Sequence, residues 1–129
     1  MEYRDLTFAP PALPLNVQVE QTFLRLPITT TLTANVLGLI PGTDPDLADE
    51  VLIVGAHYDH IGQSPDGLYF PGANRNASGV GTLLEMAEVW RSTGYRPARS
   101  VLLAAWSGGE LDSAGVSHYL SHPSIPLTQ

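Results

Sequence analysis

The chain has 129 residues, of which 43% are hydrophobic, and its formal net charge is −7 at pH 7. This size and hydrophobic content predict one domain with a packed core and exclude a disordered chain. Only six residues are basic, all of them Arg, against 13 acidic ones, which excludes the basic face that nucleic-acid binding requires.

Two absences narrow the classes further. There is no Cys, so disulfides and thiolate metal sites are excluded. The first residues, MEYRDLTFAPP, lack the basic and apolar regions of a signal peptide, and no apolar run approaches the roughly 20 residues that cross a bilayer. We therefore expect no membrane partner and, by default, a cytoplasmic location.

The N-terminal part of the chain predicts an arm followed by strands. Three prolines within residues 1–16 indicate an extended arm, and residues 17–129 are expected to form a single, partial α/β domain. Alternating side chains over Val17–Leu26 predict a strand, and the β-branched and aliphatic residues of Thr29–Ile40 predict a second one. An acidic loop then leads to the apolar run Val51–Ala56, which predicts a third strand in an antiparallel hairpin with the second.

The next part predicts a β-α-β unit. Apolar residues at i, i+3, i+4, i+7 and i+10 over Gly79–Thr93 predict an amphipathic helix, with Ser78 as its N-cap and Gly94 as its stop. The apolar run Ser100–Trp106 predicts a strand that is buried on both faces. It is expected to lie parallel to Val51–Ala56, through a right-handed crossover.

Polar side chains follow both parallel strands. His57 and Asp59 come after the first, and Glu110 lies in the loop after the second. A short helix is expected to follow, capped by Asp112 or Ser113 and ending at about Leu120. Because the carboxyl ends of parallel strands meet at one edge, these side chains are expected to face one crevice. An imidazole and a carboxylate suit zinc, and Asp59 could fix the His57 tautomer. The alternative is a hydrogen-bonded histidine at a strand end, without a metal.

Four segments together resemble the di-zinc aminopeptidases of metallopeptidase family 28, in order and in spacing, over about residues 30–122. The resemblance implies a mixed β-sheet sandwiched by helices, zinc as cofactor, and hydrolysis of the N-terminal bond of a peptide with a free N-terminus. The segments are Asn35-Val36-Leu37-Gly38 with Pro41-Gly42, Val54-Gly55-Ala56-His57-Tyr58-Asp59, Pro71-Gly72-Ala73-Asn74-Arg75-Asn76-Ala77-Ser78-Gly79, and Ala105-Trp106-Ser107-Gly108-Gly109-Glu110-Leu111.

The resemblance also implies a role for each matched position. His57 would bind one zinc, with Asp59 orienting it, and Glu110 would bind the other. Position 75 would carry an aspartate that bridges both metals, and position 109 a glutamate that acts as general base on the bridging water. Such a pair of metals activates the water and polarises the scissile carbonyl.

The chain departs from this pattern at two of those positions. Arg75 replaces the bridging carboxylate, and a guanidinium repels cations and has no lone pair to donate. Gly109 replaces the general base, a loss that typically costs about 10²–10⁴-fold in rate. Asp112 lies where the family more often has Gly. The chain also ends before the strand expected to bring the next ligand, so the fold is expected to be incomplete at the C-terminus.

We therefore expect a degenerate aminopeptidase-like domain with weak or no catalysis, and with zinc absent or weakly bound. The alternative is a non-catalytic module that keeps the fold for interaction or assembly. Arg75 is expected to replace the missing cation by pairing with Glu110 or Asp59, unless it is a surface loop residue. A sheet without its later strands would leave an open apolar edge beside Val101–Trp106, which predicts a homo-oligomer or strand exchange.

Two further motifs have functional alternatives. The segment Ala105–Gly109 resembles the nucleophile elbow of α/β-hydrolases, which would make Ser107 a nucleophile. His118 and His122 are four residues apart and could grip a metal, although Pro123 follows directly and favours a solvated helix end.

Overall fold

The computed structural model describes residues 32–126, which form a mixed α/β structure. The predicted arm and the predicted strand Val17–Leu26 lie outside the described residues. An irregular helical turn, Ala73–Ala77, precedes the first helix. The elements in chain order are β1 (Val36–Ile40), β2 (Val51–His57), β3 (Gly62–Gln63), β4 (Tyr69–Phe70), α1 (Ser78–Thr93), β5 (Ser100–Trp106) and α2 (Ala114–Ser121).

The main sheet has three strands in the order β1-β5-β2. β5 pairs antiparallel with β1, where Val36 lies opposite Ala105, and parallel with β2, where His57 lies opposite Trp106. The predicted parallel pairing of β2 and β5 is confirmed. The predicted hairpin of β1 with β2 is wrong, because β5 lies between them. β5 is the most apolar strand, and the central position buries it on both sides.

The position of β5 also corrects the expected open edge. With a neighbour on each side, Val101–Trp106 presents no free edge. Among residues 32–126, the strands of this sheet with one neighbour are β1 and β2. Recruitment through an unpaired edge of this described sheet would therefore involve β1 or β2.

α1 matches its predicted length, but its N-terminus is built differently. Ser78 is the first helical residue rather than the cap, and its hydroxyl donates to the carbonyl of Asn74 (2.9 Å). The Asn76 side chain accepts instead from the N–H of Gly79 (3.1 Å). The predicted stop is confirmed, since Gly94 has a left-handed backbone (φ 70°) that favours glycine.

The core lies on one face of β5. Leu102, Ala104 and Trp106 are buried and pack against Tyr119 of α2, with the two aromatic rings tilted at a centroid distance of 5.3 Å. The Trp106 indole packs directly against Gly55. A Cβ added at Gly55 would lie 3.0 Å from indole Cδ1 and nearer still to indole Nε1. A side chain at Gly55 would therefore displace the indole.

α1 packs across β2 and β5, so the sheet carries helices as the resemblance predicted. In the described part of the chain, neither helix is long and apolar enough to cross a bilayer.

Candidate functional site

The site lies at the carboxyl ends of β2 and β5. Their pairing continues one residue beyond β2, where the N–H of Tyr58 donates to the carbonyl of Trp106 (2.9 Å). The loop after β2 brings Asp59 and His60, and the loop after β5 brings Gly109 and Glu110. The two loops meet, as expected from neighbouring parallel strands.

Asp59 connects the two loops through the main chain. Its Oδ1 accepts from the N–H of Gly109 (2.8 Å), and its Oδ2 lies 3.5 Å from the N of Glu110. Burial raises the pKa of Asp59, but these N–H donors outweigh it, so the pKa lies below its ordinary value. The carboxylate is thus held in its charged form and anchors the loop that follows β5.

His57 contacts Asp59 mainly through the backbone. Its Nδ1 lies 3.0 Å from the main-chain carbonyl oxygen of Asp59 and 3.6 Å from the carboxylate Oδ1. The nearer contact is the one that fixes the ring nitrogen, because 3.6 Å exceeds ordinary hydrogen-bond length. Orientation of His57 by the Asp59 carboxylate stays a prediction, and the carboxylate has its closer contact with Gly109.

Glu110 forms an ion pair with Arg75. Arg75 Nε donates to Glu110 Oε1 (3.0 Å), and Arg75 Nη2 lies 3.4 Å from Glu110 Oε2. The hydrogen bond from Arg75 lowers the pKa of Glu110, and the same bond raises the pKa of Arg75. His60 Nδ1 also lies 3.3 Å from Glu110 Oε1. The pairing expected between Arg75 and Glu110 is therefore present, and His60 joins it.

Gly109 lies against His57. A Cβ built at Gly109 would be 2.6 Å from His57 Nδ1 and closer still to His57 Cβ and Cγ. Ordinary contact between non-bonded heavy atoms begins near 3.5 Å, so residue 109 has no room for a side chain in this arrangement. The position that would carry a general base is thus closed by the histidine that would be a zinc ligand.

Comparison with known proteins shows the family. The model of peptidase family M28 matches residues 35–129. The chain belongs to this family. The M28 chain is 34% identical over 96 residues to transferrin receptor protein 2 of Homo sapiens, covering 71% of this chain and 11% of the receptor. It is 33% identical over 111 residues to aminopeptidase YwaD of Bacillus subtilis, covering 85% of this chain and 22% of that protein.

A further relative is transferrin receptor protein 1 of Gallus gallus, 27% identical over 118 residues, which cover 85% of this chain and 14% of the receptor. The M28 chain therefore spans between 11% and 22% of the length of these relatives. These relatives thus include two transferrin receptor proteins and an aminopeptidase.

The residues at this M28 site do not fit a pair of zinc ions. Arg75 places a guanidinium on Glu110, one of the two ligands that the sequence retains. Nδ1 of His57, the other expected ligand, contacts the main-chain carbonyl of Asp59, which leaves Nε2 as the nitrogen that could bind a metal. Within residues 32–126, no group of three or more His, Asp or Glu side chains is arranged to hold a metal ion. Two retained ligands, one of them paired with a cation, do not form a zinc site.

Ser107 is buried and bound to the start of the described chain. Its hydroxyl hydrogen-bonds to the hydroxyl of Thr33, and its N–H donates to Asn35 Oδ1 (3.1 Å). The hydroxyl of Tyr58 lies 3.1 Å from Thr33 Oγ1. In the described part of the chain, the Ser107 hydroxyl has no imidazole or carboxylate partner. Among the described residues, the structure therefore places no general base beside Ser107, which a serine nucleophile requires.

His118 and His122 lie at the end of α2, with stacked rings 4.7 Å apart. Both side chains are exposed, as a solvated helix end predicts. Among residues 32–126, no third His, Asp or Glu lies with His118 and His122 to complete a metal site.

Sequence reasoning missed three features of this M28 site. It did not predict the contact of His60 with Glu110, although His60 follows directly on the predicted ligand segment. It gave Asn35 no role, whereas Asn35 joins the start of β1 to the turn after β5 and also donates to the carbonyl of Gly115 (2.8 Å). It interpreted Gly109 only as a lost base, because closeness to His57 leaves no signal in the sequence.

Proposed function

We propose that this chain is a non-catalytic M28 domain in which the Arg75–Glu110 ion pair replaces metal at the site. The observation that carries the proposal is the contact of Arg75 Nε with Glu110 Oε1 at 3.0 Å. Glu110 is the more enclosed partner, with 18% of its side chain exposed, so the guanidinium covers the carboxylate that would bind zinc. A cation already bound there opposes a second, divalent one.

Two further features support the absence of catalysis. Gly109 supplies no general base, and the pKa of Glu110 is lowered by Arg75, so the remaining carboxylate stays charged and paired at neutral pH. Asp59 is committed to the N–H of Gly109. No carboxylate of this set is both unpaired and close to neutral-pH titration, which a general base requires.

The test combines metal content with turnover. The purified chain is incubated with excess zinc, desalted, and its zinc measured by mass spectrometry, while hydrolysis of a leucyl anilide is followed by absorbance. We expect a zinc content close to zero per chain and hydrolysis indistinguishable from buffer. About one or two tightly bound zinc ions per chain, with turnover abolished by a chelator, would overturn the proposal and favour a zinc aminopeptidase acting on peptides with a free N-terminus.

For the retained fold, we propose a role in assembly with a second copy of the chain through β2. Supporting this, β2 has one strand neighbour among the described residues, and its Leu52 and Ile53 are exposed although apolar. Unpaired strands with exposed apolar side chains recruit partners. Light scattering should give a dimer mass that becomes monomeric in Leu52→Lys. A monomer at high concentration in the unmodified chain would contradict this role, whatever the metal content.

A further inference from the structure

The contact between Gly109 and His57 involves the backbone positions of two loops rather than a rotamer. A Cβ at residue 109 would collide with the Cβ of His57 as well as with its ring. Since the Cβ of a residue is placed by its backbone, turning the imidazole away would relieve the ring contacts alone. The loop after β5 therefore lies closer to the end of β2 than any residue with a side chain at position 109 allows.

Other contacts hold the loop in this close position. Asp59 accepts from the N–H of Gly109 at 2.8 Å. Gly108 has a left-handed backbone (φ 64°), and its carbonyl accepts from the N–H groups of Leu111 (3.1 Å) and Ala114 (3.0 Å). The loop is thus tied on one side to β2 and on the other to the start of α2.

We infer that Gly109 is a positioning residue whose missing side chain lets the loop close on His57, so that the general base is excluded by packing as well as absent from the sequence. This inference rests on the proposed function and extends it. Residues 75 and 109 then act together: Arg75 covers Glu110, and the closed loop lies against His57 at Gly109. Restoring a carboxylate at position 75 alone would leave His57 held and the loop closed.

A double-mutant cycle on the full chain tests the packing without reference to metal or activity. Gly109→Ala is made in the unmodified chain, in His57→Ala and in His57→Gly, and Tm is measured for each. His57→Ala removes the ring but keeps Cβ, whereas His57→Gly removes the three nearest atoms. We expect Gly109→Ala to lower Tm by about 5 °C or more in the first two backgrounds and by less than about 2 °C in the third.

The matched control is Gly81→Ala in α1, where a Cβ would meet nothing within 4 Å. It should leave Tm unchanged or raise it, because alanine favours a helix over glycine. Equal losses of Tm from Gly109→Ala in all three backgrounds would overturn the inference. Should Gly109→Ala abolish the transition in the unmodified chain, a transition that returns in the His57→Gly background supports it, and one that stays absent overturns it.

Zinc measured on the unmodified chain separates this inference from the proposed function. Zinc bound by the unmodified chain would refute the proposed function, and the stability cycle would still report on the packing, so the two failures are distinguishable.

Discussion

Asp59 offers the sharpest test of how the two loops of the site are held together. The change is Asp59→Ala, with Asp59→Asn as a graded comparison that keeps one acceptor oxygen. In the structure the carboxylate accepts from the N–H of Gly109 at 2.8 Å and lies 3.5 Å from the N of Glu110. In Asp59→Ala, the N–H groups of Gly109 and Glu110 lose this acceptor. In Asp59→Asn, the amide oxygen can still accept from the N–H of Gly109.

The expected cost follows from the kind of hydrogen bond lost. Bonds to a charged acceptor contribute about 1.5–3 kcal/mol each, and the bond at 2.8 Å dominates here. We therefore expect Asp59→Ala to lower the free energy of unfolding by about 2 kcal/mol, which corresponds to a Tm decrease of about 10 °C for a domain of this size. Asp59→Asn should lose about half as much, since its amide oxygen is a neutral acceptor.

Thermal unfolding followed by circular dichroism measures these values, with the exposed Asp49→Ala as the control that removes an equal charge. The pH dependence adds a sign. Because the folded pKa of Asp59 is lowered, its stabilisation is present above the unfolded pKa of about 3.9 and is lost as pH falls through the folded value. Asp59→Asn should flatten this acid loss. A Tm for Asp59→Ala equal to that of Asp49→Ala would refute the anchoring role.

Three further predictions follow from single contacts. Arg75→Ala should return the pKa of Glu110 upward toward its ordinary value, because the hydrogen bond from Arg75 is the main cause of its lowering; a carboxylate NMR titration measures this. Gly55→Ala should destabilise the chain by about 1–3 kcal/mol, since its Cβ would meet the indole of Trp106, as denaturant unfolding would report. Tyr119→Phe should leave stability unchanged or raise it, because the buried hydroxyl has no hydrogen-bond partner within the described chain.

Each of these predictions has an outcome that contradicts it. An unchanged Glu110 titration in Arg75→Ala would mean that the ion pair does not govern the carboxylate. Gly38→Ala is the control for Gly55→Ala, because a Cβ at Gly38 meets nothing within 4 Å; equal stability of the two variants would remove the packing argument. A clear loss of stability in Tyr119→Phe would indicate that the hydroxyl has a partner after all.

Local patterns were sufficient to predict α1 and β5. The apolar spacing of Gly79–Thr93 predicted α1 to within one residue of its observed start. Over several turns, the helical repeat is visible as a regular spacing of apolar residues. The apolar run Ser100–Trp106 matched β5 at both ends. Gly94 marked the helix end correctly, because a left-handed residue is needed there and glycine adopts it without strain.

Strand order could not be predicted in the same way. Consecutive strands often pair, so β1 and β2 were expected to form a hairpin, but a hydrophobic pattern states only which faces are buried and not which strand lies beside which. β5 lies at the centre of the sheet, because it is the most apolar strand and is stabilised most when neighbours cover both of its sides. The expected open edge moved to other strands for the same reason.

At the site, the sequence by itself predicted a loss of catalytic chemistry. Arg75 and Gly109 stand where, by the resemblance, the family has carboxylates, and this follows from the sequence alone. The sequence also suggested that Arg75 would pair with Glu110, because opposite charges were expected in one crevice.

Only the tertiary structure decided how the remaining residues are used. In the structure, Asp59 accepts from the N–H of Gly109, His60 contacts Glu110, and Gly109 packs against His57. These contacts link residues about 50 positions apart in the chain. They depend on the relative positions of two loops to within a fraction of an ångström, and such distances are set by the packing of β2 against β5 rather than by any local pattern.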